Sequence, residues 1–401
     1  MELNEKQKQG LEIAVDRYKR GERCTIIAGY AGTGKSTLVK FIISALPNIN
    51  PQTDVVYTSF TGKATQVLAK KGNKNTSTLH KLLFISHPRP DGTYTRIPVT
   101  TIPYKIVVVD EISMVPKSLI QKLASYRVHV IGLGDPFQLP PVNKNEDNHL
   151  LDNPHIFLDE IMRQEEGNEI IDLSMKIRKG EPIDYFKGKN IQIINKSELS
   201  TGMLQWADQI LVATNETRKA INAQMRDLLG HTGDPEDGDK IICYRNYWED
   251  ECQGGSALVN GTIGTISDSY NSFVTIPGFL NKANYGVPRQ VATINCNFIE
   301  EDGEEYSNLI MDKNMILTGE KTLDWKTEYA VSQNKNFKHL LPYEFTYGYA
   351  ITCHRAQGSE WDKVLVIEEK FPFGNLVIIK FLQEAYTGWH CSDKLVLVRS
   401  E

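Results

Sequence analysis

The chain has 401 residues, with 45 Lys and Arg against 50 Asp and Glu, a formal net charge of −5 and 40% hydrophobic residues. At about 150 residues per domain that length suggests two or three domains, and the composition excludes wholesale disorder. Proteins held to nucleic acid by diffuse positive charge are strongly basic, so any polyanion site here is a local track.

The start, Met1 to Lys6, lacks the basic-then-apolar pattern of a secretory signal. Apolar runs such as Leu376 to Ile379 are far too short for a membrane span, so no membrane association is expected. The six cysteines (24, 243, 252, 296, 353, 391) contain no CxxC pair and read as reduced thiols of an intracellular, cytoplasmic protein.

Asn4 to Gln7 forms a helix start, followed by Leu11, Ala14, Val15 and Tyr18 at helical spacing. The runs at 24–28, 55–58, 106–109 and 128–133 suit buried strands, with a helical pattern at Leu38, Val39, Ile42, Ile43 and Leu46. This alternation predicts a doubly wound parallel α/β domain. Residues 84–103 break the rhythm: Pro88, Pro90, Pro98 and Pro103 surround the turn Asp91-Gly92 and predict a small β-hairpin. Strands are expected again at 191–194 and 209–213, with a helix at 215–229. From 237 to 342 short β runs at 239–244, 262–267 and 273–276 suggest a barrel-like insertion, after which strands return at 363–367 and 394–398.

Gly29-Tyr30-Ala31-Gly32-Thr33-Gly34-Lys35-Ser36 matches GxxxxGK(S/T) between a predicted strand and a predicted helix. Glycines at these positions let successive N–H groups face one anion, and the helix N-terminus adds a favourable dipole. Lys35 suits the β- and γ-phosphates of ATP, and the Ser36 hydroxyl suits Mg²⁺. Asp110 and Glu111 end an apolar strand, where open α/β sheets bind ligands. There Asp110 would hold Mg²⁺ through water and Glu111 would polarise the attacking water.

From Asp110-Glu111 onward the sequence resembles superfamily 1 helicases. Gly134-Asp135-Pro136-Phe137-Gln138-Leu139-Pro140-Pro141 looks like their GDxxQLPP element, and the segment from Tyr349 to Asp362 is close to their YAxTxHKxQGSEWD. Leu158 to Gln164, Leu211 to Asn215 and Leu258 to Gly264 extend the likeness to the compact RecD-like and Dda-like group across almost the whole chain. The resemblance implies two RecA-like P-loop domains, a pin hairpin in the first and an SH3-like barrel inserted in the second. It implies boundaries of 1–148 for the first domain with its pin at 84–103, 149–236 plus 343–401 for the second, and 237–342 for the barrel.

On that resemblance the nucleotide is held by Gln7, Gly29, Gly32, Thr33, Gly34, Lys35, Ser36, Thr37, Gln357 and Glu360. Gln7 would recognise adenine, although it also reads as the helix-capping partner of Asn4. Gln138 would sense the γ-phosphate. Arg163 would supply charge as phosphoryl transfer proceeds, or else belongs to a solvated helix face. A single strand of DNA would run over Thr61, Lys63, Thr78, His80, Phe137, Thr214, Asn215 and His354. Phosphate contacts fix register without reading sequence, and Phe137 could stack on any base. Helix capping also explains Thr61, Thr78 and Asn215, and buried hydrogen bonding also explains His80 and His354. The 84–103 hairpin is a duplex-splitting pin on this resemblance or an inert surface loop by composition alone.

The implied protein is a monomeric, ATP- and Mg²⁺-dependent motor on single-stranded DNA and single-strand/duplex junctions, moving 5′→3′. Such proteins serve replication, recombination or phage DNA metabolism. The residues themselves give no direction, and hydroxyl contacts do not separate DNA from RNA. One motif departs from the family. Tyr386 to Leu395 has Trp389-His390-Cys391 where an arginine belongs, and losing a transition-state arginine costs about 10³–10⁵ in rate in related phosphoryl-transfer systems. A weakened enzyme, compensation by Arg163 and Arg355, and a compensated reading-frame error all account for it. An RNA or RNA–DNA hybrid helicase and an ATP-gated single-strand binding protein are the alternatives.

Overall fold

The computed structural model describes residues 2–30, 32–88, 94–138, 141, 143–160, 169–170, 172–173, 176, 181–251, 257–356, 359, 361–369 and 394–399. The chain divides into two compact units, one of Met1–Phe84, Pro98–Thr214 and Thr352–Glu401, the other of Ile85–Ile97 and Asn215–Ile351.

The first unit contains two sheets. In the first, the strands run Thr76–Thr78, Val55–Ser59, Ile106–Val109, His129–Gly134, Cys24–Gly29 and Ile156–Leu158, all parallel. Successive residues feed opposite faces, which is why these strands read as unbroken apolar runs. Ile27, Val108 and Ile131 pack under the helices Glu5–Lys19 and Lys35–Ala45 through Ala14, Leu38, Val39 and Ile42. Ile26, Val107, Val109 and Val130 pack on the other face with Leu79, Leu83, Leu119 and Leu123. With both faces covered, the open positions are the carboxyl ends of the strands, where Gly29, Asp110 and Asp135 lie.

The second sheet orders Gln209–Val212, Lys363–Ile367, Lys394–Arg399 and Ile191–Asn195 in parallel, with the short antiparallel strand Phe186–Lys187 beside the last. Arg399 is the final residue of its strand rather than lying beyond it, and it donates to the Glu368 carboxylate at 3.0 Å and to the Ile183 carbonyl. Each sheet is of the RecA-like α/β kind.

The second unit holds an antiparallel sheet ordered Glu305–Asp312, Arg289–Glu300, Ile263–Ile276, Lys240–Cys243 and Phe345–Tyr347. The runs expected at 262–267 and 273–276 are one 14-residue strand, whose pairing register shifts between Ser267 and Tyr270. That irregularity is what divided it into two runs in the sequence pattern. Tyr343, just before one edge strand, bridges to Met311 of the other edge: Asp312 N–H donates to Tyr343 O at 3.0 Å and Tyr343 N–H to Ile310 O at 2.7 Å. The expected helix Asn215–Leu229 and the hairpin strands Phe84–Pro88 and Tyr94–Pro98 are present, the hairpin tip at 89–93 lying outside the described residues. No described helix is long and apolar enough to cross a membrane.

Candidate active site and nucleic-acid interface

Strand Cys24–Gly29 delivers the chain into the glycine-rich loop. A Cβ on Gly29 would lie 2.6 Å from the Leu158 carbonyl oxygen and 2.9 Å from Thr33 Oγ1, so only glycine fits. Gly32 and Gly34 take positive φ of 77° and 78°, the left-handed region that side chains disfavour. Gly34 then N-caps helix Lys35–Ala45, and no side chain caps that helix, so its first amides point toward an anion seat. Lys35 Nζ donates to the carbonyls of Gly29 and Tyr30, both at 2.8 Å, and the Thr33 hydroxyl donates to Tyr30 O at 2.8 Å. Ser36 is exposed and Thr37 half-buried at the start of the helix.

Gln7 serves both purposes raised by its position. Its Oε1 accepts from Asn4 N–H at 3.1 Å and the Asn4 side chain accepts from Gln7 N–H, a reciprocal capping box. Its Nε2 donates to the Thr33 carbonyl of the phosphate loop at 3.1 Å, and the residue is only 2% exposed.

Asp110 and Glu111 stand at the end of strand Ile106–Val109. Glu111 adopts φ 51° and ψ 46°, a left-handed conformation for a non-glycine residue, which costs about 1–2 kcal/mol and places the strain at the site. Its N–H donates to Asp110 Oδ1 at 3.0 Å. Burial raises both carboxyls above the usual carboxylate range. Glu111 rises to about 7, with the Asp110 charge adding to the burial, while the ammonium groups of Lys71 and Lys35 pull it back. Asp110 is raised by burial and drawn down by Lys35. The lysine of the phosphate loop therefore acts electrostatically on both acids, as a shared site requires.

Gln138 is half-buried, its N–H on the Asp135 carbonyl at 3.0 Å, and buried Asp135 accepts from Phe137 N–H at 3.0 Å. The Phe137 ring meets Tyr30 at 6.0 Å, and Tyr30 meets Phe157 edge-on at 5.6 Å. Tyr30 and Phe157 escaped the sequence reading. The signal was an aromatic inside the glycine-rich loop itself. Arg163, Gln357, Glu360 and Trp389-His390-Cys391 lie outside the described residues.

Along the expected strand track, Thr61 and Thr78 are helix N-caps, their hydroxyls each accepting a backbone N–H at 3.2 Å, from Ala64 and Lys81. His80 packs between the rings of Phe60 at 5.5 Å and Phe84 at 6.4 Å, and Lys63 is half-buried beyond the Thr61 cap. Thr214 donates its hydroxyl to the Glu369 carboxylate, and His354 is exposed on the short helix Cys353–Ala356. In the second unit, the Asn215 side chain accepts from Arg218 Nε at 3.2 Å.

The parallel sheet, the glycine loop at a strand end and the neighbouring acid pair define a P-loop nucleotide-binding fold of RecA type. Residues 2–199 match the AAA domain family and residues 347–376 match the UvrD-like helicase C-terminal domain. The chain is 25% identical over 371 residues to the ATP-dependent RecD2 DNA helicase of Deinococcus radiodurans, covering 86% of this chain and 43% of that protein. It is 29% identical over 192 residues to the ATP-dependent DNA helicase Dda of Enterobacteria phage T4, covering 45% of this chain and 43% of that protein. The matches thus take in less than half the length of either relative. Its fold is similar to that of Candida albicans Pif1 helicase, with TM-score 0.52 and 18% identity over 99% of this chain and 94% of that one. A Bacteroides Pif1 complex with ADP-AlF3 and single-stranded DNA gives TM-score 0.52 and 17% identity, covering 99% and 92%. The chain is thus similar to superfamily 1 helicases of the RecD-like and Dda-like group.

Proposed function

We propose that the chain is an ATP-driven motor that moves 5′→3′ along single-stranded DNA and opens duplex DNA at junctions. The observation that carries this reading is the joining of the glycine loop, Lys35, Asp110 and Glu111 into one electrostatic site at the carboxyl ends of a parallel sheet. The loop fits a nucleotide, since a Cβ at Gly29 would fill the cradle and Gly32 and Gly34 take conformations that turn the chain around an anion. Ser36 and Asp110 would hold Mg²⁺, which when bound neutralises phosphate charge and orients the phosphates. Lys35 would exchange its two loop carbonyls for phosphate oxygens. Glu111 would accept a proton from the attacking water, and Gln138 would report the γ-phosphate. Arg163, Gln357 and Glu360 would complete the nucleotide site.

Thr61, Lys63, Thr78, His80 and Phe137 would grip the strand from the first domain, and Thr214, Asn215 and His354 from the second. ATP can move the protein only if the two grips change affinity differently between nucleotide states. The helix caps at Thr61 and Thr78 support this use, because a hydroxyl that accepts an amide N–H keeps its own proton to donate to a phosphate. We assign residues 1–148 to the first motor domain with the 84–103 hairpin as its pin, 149–236 plus 343–401 to the second, and 237–342 to an SH3-like insertion. The working form would be a cytoplasmic monomer.

The test is steady-state phosphate release with Mg-ATP, with and without oligo-dT or oligo-U, beside Lys35→Ala, followed by unwinding of 5′- and 3′-tailed duplexes. Release stimulated by oligo-dT and lost in Lys35→Ala, with opening of the 5′-tailed duplex, is the expected result. Preference for oligo-U would move the reading to RNA. DNA binding that responds to ATP without phosphate release would make the chain an ATP-gated binding protein, the reading favoured by Trp389-His390-Cys391 in place of the arginine.

A further inference from the structure

In the second sheet, strands Gln209–Val212 and Lys363–Ile367 lie side by side and parallel, so their carboxyl ends emerge together. Just beyond those ends three donors converge on one carboxylate. Ala213 N–H donates to Glu369 Oε2 at 2.6 Å, Thr214 N–H donates to the same oxygen at 2.9 Å, and the Thr214 hydroxyl donates to Glu369 Oε1 at 2.9 Å. Two successive amides and a hydroxyl aimed at one anion make a seat that phosphate oxygens also satisfy. The neighbouring acid is used otherwise: Glu368 holds Arg399 at 3.0 Å. Glu369 instead reaches back across 155 residues of sequence to the end of the adjacent strand.

We infer that the Ala213 and Thr214 amides with the Thr214 hydroxyl form a phosphodiester seat, and that Glu369 is its resident competitor. A backbone phosphate of a bound strand takes over the three donors and the carboxylate swings out. The inference rests on the strand-motor reading above and adds the occupant of one contact in the track. It gives the grip a built-in release, because the donors that let go of a phosphate are recaptured by an anion of the same chain. No donor is then left unsatisfied during the exchange, so the penalty of an unpaired, half-buried amide is avoided.

The experiment is fluorescence anisotropy of labelled oligo-dT binding to the full chain without nucleotide, across a salt series. It compares the wild type with Glu369→Gln, Glu369→Ala, Thr214→Val and the double variant Thr214→Val/Glu369→Ala, each checked for folding by circular dichroism. Removing the competing charge is expected to tighten binding by about five- to tenfold, since hydrogen bonds to a charged group are strong but both competing anions make them. The logarithmic salt slope should stay nearly unchanged, because the phosphate takes the seat in both forms and neutral amides and a hydroxyl release no counterions. The gain should shrink in the Thr214→Val background. Glu369→Gln keeps an acceptor for the amides and so guards against a loop that simply disorders. If both Glu369 variants bind as the wild type does or more weakly, Glu369 only orders the loop and this inference fails while the motor reading stands. If no form binds oligo-dT although all bind ATP, the strand reading itself fails and takes this inference with it.

Discussion

The Gln7 side-chain amide donates to the Thr33 carbonyl at 3.1 Å, tying the first turn of the first helix to the phosphate loop. One side chain thus closes a helix cap and braces the loop that meets the nucleotide. Gln7→Ala removes two hydrogen bonds from a buried position and should destabilise by about 1–3 kcal/mol. The adenine role makes a separate prediction. If Gln7 reads the base, Gln7→Ala should raise KM for ATP and leave that for GTP almost unchanged, narrowing the preference between them. Bracing alone would weaken both nucleotides alike. Steady-state kinetics with the two nucleotides, beside thermal unfolding, separates the roles.

Glu111 carries a pH signature in the metal-free protein. Its carboxyl rises from an ordinary 4.5 to about 7 in the fold. Between those values the folded state binds more protons than the unfolded state, so stability falls as pH rises. Glu111→Gln abolishes that loss. In the presence of chelator it should be more stable than the wild type at pH 8 by about 1–3 kcal/mol, unfolding at a higher temperature there and at the same temperature near pH 4.5. An equal difference at both pH values would show that packing, not ionisation, separates the variants. The same substitution should remove phosphate release.

The elements that were legible from sequence are those whose signal is local. The Gly29 to Ser36 loop, the runs at 106–109 and 363–367, and the Asn4–Gln7 capping box each announce themselves within a few residues. The 263–276 strand was split because a register shift breaks the alternation that marks a strand. Partners distant in sequence left no trace. Nothing near Thr214 points to Glu369, and nothing near Asp239 points to Tyr349, 110 residues away. Glu111 was legible as an acid at a strand end, but its positive φ follows from the turn that the fold imposes there.

Gly29→Ala tests the cradle. The added methyl meets the Leu158 carbonyl at 2.6 Å and Thr33 Oγ1 at 2.9 Å, and the carbonyl belongs to a strand paired with Gly29 itself. Neither strand can yield without lengthening hydrogen bonds, so a cost of about 1–3 kcal/mol is expected. Relief by moving the loop would displace the two carbonyls that hold Lys35. ATP affinity should fall more than tenfold, read by a fluorescent nucleotide analogue; unchanged affinity would mean that the loop tolerates the shift.

In the second unit a hydrogen-bond network centres on the carboxylate of Asp239. Asp239 is fully buried and accepts from Arg226 Nε at 3.0 Å, Tyr349 O–H at 2.9 Å and Glu236 N–H at 3.0 Å, with His231 Nδ1 at 2.9 Å. Arg226 is itself buried, stacks over Tyr347 at 4.7 Å and donates to the carbonyls of Gly233 and Asp234. Asp239→Asn preserves shape but leaves the guanidinium only the half-exposed Glu236 carboxylate at 3.8 Å as counter-charge, and losing the buried partner costs up to about 3–5 kcal/mol. In the cycle of Asp239→Leu, Arg226→Leu and the double variant, the double variant removes the stranded charge as well, so it should be less destabilised than the sum of the two single variants. Urea unfolding of the four proteins in a double-mutant cycle gives the coupling directly. Additive single effects would mean that Asp239 acts through Tyr349 and the Glu236 amide, with the arginine satisfied by its carbonyls and the Glu236 carboxylate.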